Sequence, residues 1–112
     1  MDEKKMVFVS VPMSGKDEAL IERQIQITKA WYLKVTNQNV KDVAFYDNLR
    51  GCRGMHFPNL KNEALGYLGH AITKLGRCDE AVFGKDWQSA RGCIIEKDVC
   101  DIYGIKTYEV TE

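Results

Sequence analysis

The chain has 112 residues, 45% of them hydrophobic and 29% charged, which is the composition of one ordinary globular domain and excludes a disordered segment. Sixteen basic residues balance sixteen acidic ones, so a net charge of zero excludes a global field that would draw the protein onto nucleic acid or an anionic membrane. No apolar run approaches a membrane span, and the N-terminus runs almost directly into a strand-like segment. We therefore expect a single cytoplasmic domain over residues 1–112, without a secretory signal.

The first predicted elements are a strand and a long helix. Met6 to Val11 is a nearly continuous apolar run, typical of a strand buried on both faces of a parallel sheet. Ser14, followed three residues later by Asp17, predicts the N-terminal cap of a helix from about Lys16 to Val35. Its predicted inward stripe comprises Ile21, Ile25, Thr28, Tyr32 and Val35, widened by Leu20, Ile27 and Trp31.

The rest of the chain continues the alternation of strands and helices. The further predicted elements are a strand at Val40–Tyr46, a long loop at Asp47–Asn59, a helix at Glu63–Leu75, a strand at Ala81–Phe83, a helix from Ser89 or Ala90 to Tyr103 with Cys93, Ile94, Val99 and Cys100 inward, and a strand at Ile105–Val110. Such alternation predicts an α/β fold, an open parallel sheet with helices on both faces.

Ligands of open parallel sheets bind beyond the carboxyl ends of the strands. Three segments follow those ends here: Ser10–Lys16, Asp47–Asn59 and Gly84–Gly92. The first contains Ser14-Gly15-Lys16, which lacks the spacing of a nucleoside-triphosphate loop but offers backbone N–H groups and a lysine to an anion. We expect the three segments to line one concave pocket.

The third segment and the helix after it contain the most side chains suited to chemistry. Trp87 offers a flat surface for stacking, and Ser89 and Arg91 offer donors near a helix N-terminus. Glu96 lies about two turns into that helix, where a carboxylate could face the rim of the sheet. The simpler alternatives are that Glu96 faces water beside Lys97 and that Trp87 only anchors its loop.

Cysteines and histidines give no indication of a metal site. No C-x-x-C pair occurs, and His56 and His70 are isolated, so we expect neither a metal nor a cofactor. Cys93 and Cys100 are seven residues apart, which predicts two reduced thiols on the buried face of one helix. Cys52 falls in the long loop and is open to a reactive role.

Two stretches support a family resemblance: MVFVSVPMSGK near the start, and LGYLGHAITKLGRCDEAVFGKDWQSARGCIIEKDVCDIYGI later on. Together they resemble the nucleoside 2-deoxyribosyltransferase-like superfamily, most of all its short bacterial and phage members. Residues 37–62 match nothing in it. The resemblance implies a small flavodoxin-like (Rossmann-like) sheet of four to five strands, a pocket for a nucleoside or nucleotide, and a homo-oligomer, a dimer or larger.

The resemblance also implies roles for individual residues. In catalytic members a helix glutamate attacks the anomeric carbon of the deoxyribose, and Glu96 matches that position. Ser89 and Arg91 would lie near the sugar or its 5′-substituent, and Met13 and Gly15 near the base or sugar. The predicted ligand-binding residues are Met13, Ser14, Gly15, Lys16, Asp47, Arg50, Arg53, Trp87, Ser89, Arg91 and Gly92.

One departure from the family pattern leaves the activity open. Active members place a second acid on the helix before the third strand, where this chain reads Gly69 to Ile72 without a carboxylate. His70 and Asp47 are the candidates to replace it. One function is therefore an N-glycosidase or deoxyribosyltransferase acting on deoxynucleosides or their monophosphates; the alternative is a non-catalytic nucleotide-binding module or sensor. A structural protein would have its rim closed or covered by another chain.

Three aromatic residues are candidates for the subunit interface of the expected homo-oligomer. Trp31 and Tyr32 lie on the long first helix, and Tyr67 on the second. Each could equally belong to the core. A domain of this size gains stability when it buries additional surface between subunits.

Overall fold

Four parallel strands form one sheet in the computed structural model, which describes residues 3–112. The strands are β1 (Lys5–Ser10), β2 (Val43–Asp47), β3 (Glu80–Phe83) and β4 (Lys106–Glu109). The helices are α1 (Glu18–Thr36), α2 (Asn48–Gly51), α3 (Glu63–Leu75) and α4 (Arg91–Tyr103). The predicted α/β fold, a flavodoxin-like open parallel sheet with helices on both faces, is confirmed. Met1, where the predicted domain begins, lies outside the described residues.

The strand order β2-β1-β3-β4 places the reversal of the sheet at β1. The chain leaves β1 to one side to form β2 and returns to its other side to form β3. In register, Val9 pairs with Asp47 and Ser10 with Phe83, so the carboxyl ends of these three strands lie side by side. This is the place where open α/β sheets bind their ligands.

Helix α1 covers one face of the sheet. Ile21, Ile25 and Tyr32 pack against Val7 and Val9 of β1 and are almost fully buried. The Tyr32 hydroxyl donates a hydrogen bond of 2.5 Å to the Glu80 carboxylate inside this layer. Tyr32 is therefore a core residue, which was the alternative to its place in a subunit interface.

The outer part of the predicted α1 stripe is exposed. Leu20, Ile27 and Val35 retain more than two fifths of their surface, because a straight helix touches a flat sheet along one narrow row. That row contains Ile21, Ile25, Thr28 and Tyr32. Trp31 is half-buried beside it.

Helix α1 begins two residues later than predicted. Asp17 is its N-cap and accepts a hydrogen bond of 2.8 Å from the backbone N–H of Leu20. Ser14 is excluded from that role because it belongs to a separate turn, closed by a hydrogen bond from Lys16 N–H to the Met13 carbonyl. Gly15 supplies the left-handed φ of 76° that this turn needs.

Helices α3 and α4 cover the other face. Cys93 and Cys100 are buried against Phe8 and Phe83, so the prediction that these two thiols are small core residues is confirmed. Ile94 was predicted to face inward and is instead 40% exposed. The third buried residue of α4, beside Cys93 and Cys100, is Glu96.

The second strand and the loop after it also differ from the prediction. Val40–Asp42 form a 3₁₀ turn capped by Asn39, so β2 begins only at Val43. The predicted loop then contains the short helix α2, because Asp47 accepts a hydrogen bond of 3.0 Å from Arg50 N–H and thereby caps it. Within residues 3–112 no helix is long and apolar enough to cross a membrane.

The connection between α2 and α3 is attached to α3 by an aromatic contact. Phe57 lies over Gly66 and meets the Tyr67 ring edge to face at 5.1 Å, while the Tyr67 hydroxyl donates 2.7 Å to the Met55 carbonyl. A Cβ at Gly66 would lie 2.3 Å from Cγ of Phe57.

We expect Gly66→Ala to lower the free energy of unfolding by about 1–3 kcal/mol, because the Phe57 ring must leave its place. Gly69 on the same helix is the matched control: a Cβ there meets nothing within 4 Å, and alanine should stabilise the helix by about 0.5–1 kcal/mol. Urea unfolding of the two variants measures both changes. Equal effects would show that Phe57 does not restrict position 66.

Candidate functional site

A cleft of about 830 Å³ lies at the carboxyl ends of the strands, a volume typical of small-molecule sites. Its walls come from the β1–α1 connection, from α2 and the residues after it, from α3, and from the start of α4. The polar residues that line it are Ser14, Lys16, Glu18, Asn48, Arg53, Tyr67, Ser89, Arg91 and Glu96. Four separate segments therefore meet at one cavity.

Glu96 provides the buried carboxyl group of the cleft. It is 3% exposed and shares the buried face of α4 with Cys93 and Cys100. The Ser10 hydroxyl donates a hydrogen bond of 2.6 Å to its Oε1, and the Asn48 side-chain amide donates one of 3.4 Å to its Oε2. The carboxyl is thus held by the ends of β1 and β2.

The alternative in which Glu96 faces water beside Lys97 is wrong. Lys97 instead pairs with Asp101, one turn further along α4, at 2.8 Å. Helical geometry separates neighbours by about 100°, so Lys97 points away from the buried row that contains Glu96.

Burial alters the ionisation of Glu96. Removal from water raises the pKa of its carboxyl from 4.5 to about 7, while the hydrogen bonds from Ser10 and Asn48 act in the opposite direction. The group therefore exchanges protons near neutral pH. Carboxyls with such a pKa in a cleft are typical of sites that perform chemistry.

The mouth of the cleft is cationic. Lys16, Arg53 and Arg91 line it from three different segments. Gly92 and Cys93 line it as well, at the N-terminus of α4, which no side chain caps. Backbone N–H groups of a first helical turn lack helical acceptors and favour anions, so this end of the cleft is suited to a negatively charged group.

Trp87 lies outside the cleft lining. Its ring packs on Phe83 at 5.5 Å between centroids, and its indole N–H donates a hydrogen bond of 3.1 Å to Glu109. These contacts attach the loop after β3 to the sheet and to β4. The structure thus gives Trp87 the anchoring position that was the alternative to stacking.

Asp47 and Arg50 form an ion pair beside the cleft rather than in its lining. Asp47 is buried, and one of its oxygens lies 2.8 Å from Nη1 of Arg50 and 3.8 Å from Nζ of Lys29. Arg50 also pairs with Glu22 of α1. These ion pairs connect α2 and the end of β2 to α1.

Neither candidate for the missing second acid reaches the cleft. Asp47 is held in those ion pairs, and His70 lies on α3 outside the lining, with a buried Nε2 that has no hydrogen-bond partner. Met13, Ser14, Lys16, Arg53, Ser89, Arg91, Gly92 and Glu96 are the predicted site residues that the structure brings into the lining. Gly15 belongs to the same turn as Ser14 without lining the cavity.

Ser10 and Asn48 complete the environment of Glu96; the predicted pocket segments contain both, but the predicted ligand-binding residues include neither. Ser10 carries a signal, since it is a polar residue at the end of an apolar strand. Asn48 directly follows β2 and could have been identified from that position. Tyr67 and Leu68 of α3 also line the cleft, and no sequence motif indicates them.

Cys52 lines the cleft but is not an activated thiol. Burial raises the pKa of its thiol, and the nearby Glu96 carboxylate raises it further, which disfavours the reactive thiolate. Across the described residues, no three His, Cys, Asp or Glu side chains form a group that could hold a metal ion. No protein-family model, curated protein or solved structure matches the chain.

Proposed function

We propose that the cleft binds a deoxynucleoside 5′-monophosphate and that Glu96 cleaves its N-glycosidic bond as a nucleophile. The observation that supports this most is a buried carboxyl group in the same cleft as a cationic mouth. Glu96 is held there by Ser10 and Asn48, which fix its two oxygens. The resemblance of the two quoted stretches to nucleoside 2-deoxyribosyltransferase-like proteins points to the same residue.

The charges at the mouth favour a monophosphate over an uncharged nucleoside. A phosphate monoester carries nearly two negative charges at neutral pH. Lys16, Arg53 and Arg91 line the mouth, and the uncapped N-terminus of α4 opens onto it. A phosphate bound here would leave the sugar and base to extend along the cleft.

The chemistry is a displacement at the anomeric carbon. One oxygen of the ionised Glu96 carboxylate forms a bond to C1′, the bond from C1′ to the base nitrogen breaks, and its electron pair leaves with the base, which takes a proton from water. Attack of water on C1′ then releases the sugar phosphate and regenerates the carboxylate, and the proton that this water loses neutralises the hydroxide left by the first step. A second base in place of water would give transfer. The mechanism is the one that retaining glycosidases use.

Departure of the base lacks an obvious proton donor. In the described part of the chain, the other carboxyl group lining the cleft is that of Glu18, which is engaged by Arg53 in an ion pair. General acid catalysis is worth about 10² to 10⁴ in rate, so we expect slow turnover.

Two observations favour a nucleotide-binding module or sensor as the second candidate. Burial raises the pKa of Glu96 to about 7, which favours its protonated form, and a protonated carboxyl is a hydrogen-bond donor rather than a nucleophile. The lining also offers no second acid free of an ion pair among the described residues. A cytoplasmic homo-oligomer stays a prediction in either case, with Trp31 and Tyr67 as the interface candidates.

The test is a panel of deoxynucleosides and their 5′-monophosphates mixed with the wild-type protein. Binding is measured by calorimetry and free base by chromatography. The proposal predicts binding of at least one monophosphate and slow release of its base. Binding without base release would support the sensor, and no binding at millimolar concentration would exclude both functions.

A further inference from the structure

An ion pair closes part of the cleft mouth. Glu18 is the first residue of α1, Arg53 follows α2, and both line the cavity. Nη2 of Arg53 donates a hydrogen bond of 2.6 Å to Oε1 of Glu18. The pair thus connects two walls of the cleft through side chains that are mostly exposed to solvent.

A second pair of the same kind lies one turn further along α1. Glu22 of α1 pairs with Arg50 of α2, yet neither residue lines the cleft. Arg50 is also held by the buried Asp47. Arg53 has Glu18 as its carboxylate partner, and both side chains are mostly exposed, so this pair can exchange partners.

From this geometry we infer that Glu18 determines how strongly the cleft selects anionic over neutral ligands; the inference rests on the proposed function. Glu18 occupies one N–H of Arg53 and offsets the positive charge that Arg53 offers to a phosphate. Until Glu18 moves away, its negative charge repels the phosphate. A neutral nucleoside neither needs Arg53 nor experiences that repulsion. Glu18 therefore reduces the difference in affinity between a deoxynucleoside monophosphate and the matching nucleoside.

Removal of this carboxylate should therefore act on charged ligands alone. Two unit charges about 4 Å apart in water interact by about 1 kcal/mol, which corresponds to a factor of about 5 in affinity, and salt reduces it. We expect Glu18→Gln to tighten binding of a deoxynucleoside monophosphate about fivefold at low salt. The gain should shrink at high salt, and affinity for the matching nucleoside should stay unchanged.

The experiment measures both ligands by calorimetry against the full-length wild type, Glu18→Gln, Arg53→Gln, the double variant and Glu22→Gln. Arg53→Gln should weaken monophosphate binding, and in its background Glu18→Gln should still tighten it, because the carboxylate repels the phosphate with or without Arg53. Glu22→Gln removes the same charge one turn away and should leave the affinity for both ligands unchanged.

Each result has one meaning. Equal monophosphate affinity of wild type and Glu18→Gln at low salt overturns the inference while the proposed function stands. An equal gain in Glu22→Gln also overturns it, because the effect would then come from net charge. If the wild type binds neither ligand, the proposed function fails and the inference fails with it.

Discussion

Replacement of Glu96 by glutamine is expected to lower base release by at least about 10³-fold while the protein still folds and binds its ligand. Glutamine is nearly isosteric and its one side-chain oxygen can still accept the hydrogen bond from Ser10, but its amide is not a nucleophile. The rates should be compared at pH 8, where Glu96 is mostly ionised because its pKa is about 7. Chromatography of the free base gives turnover, and calorimetry gives affinity.

Ser10→Ala is the informative companion variant. It removes one hydrogen bond to the carboxyl but leaves the nucleophile, so we expect a partial loss of turnover between wild type and Glu96→Gln. Glu22→Gln, outside the cleft, should match the wild type. Unchanged turnover in Glu96→Gln would exclude Glu96 as the nucleophile.

Glu96→Gln should also stabilise the protein above neutral pH. The folded state raises the pKa of Glu96 from 4.5 to about 7, so folding favours its protonated form. Stability from this group is complete below pH 4.5 and falls as the pH rises towards 7, by roughly 3 kcal/mol over that window. Glutamine cannot ionise, so Glu96→Gln should be more stable than wild type at pH 8 by up to that amount.

Urea unfolding of both proteins at pH 4 and pH 8 measures the effect, because other titrating groups cancel in the difference between them. Glu22→Gln is the control of opposite sign. The hydrogen bond from Arg50 lowers the pKa of Glu22, so replacing this carboxylate should give no gain in the free energy of unfolding above neutral pH. A difference between wild type and Glu96→Gln that does not change with pH would contradict the burial of an ionisable Glu96.

The order of the four strands and the three long helices could be predicted from the hydrophobic pattern together with caps, but the buried face of α4 could not be read from hydrophobicity. Ile94 and Ile95 are more apolar than Glu96, yet Glu96 is the buried one. The spacing held the correct signal: Cys93 and Cys100 were expected on one face, and Glu96 stands three residues after the first and four before the second.

The strand-end rule located the segments of the candidate site but not the directions of their side chains. Trp87 lies outside the cleft because it packs on Phe83 and donates a hydrogen bond to Glu109. Asp47 lies outside it because it pairs with Lys29 and Arg50. Partners distant in sequence decide such orientations. The α3 wall was missed for a similar reason, since only the packed structure brings Tyr67 and Leu68 to the cleft.

The most direct measurement of the central claim is the mass of the protein during turnover. A deoxynucleotide analogue with fluorine at C2′ destabilises the oxocarbenium-like transition state and slows loss of the sugar from the enzyme. We predict that the wild type, quenched with acid, gains the mass of one fluorinated sugar phosphate less one water, that peptide mapping places it on Glu96, and that Glu96→Gln gains nothing. A sugar phosphate attached to another residue, or base release by an enzyme that never acquires one, would contradict the account.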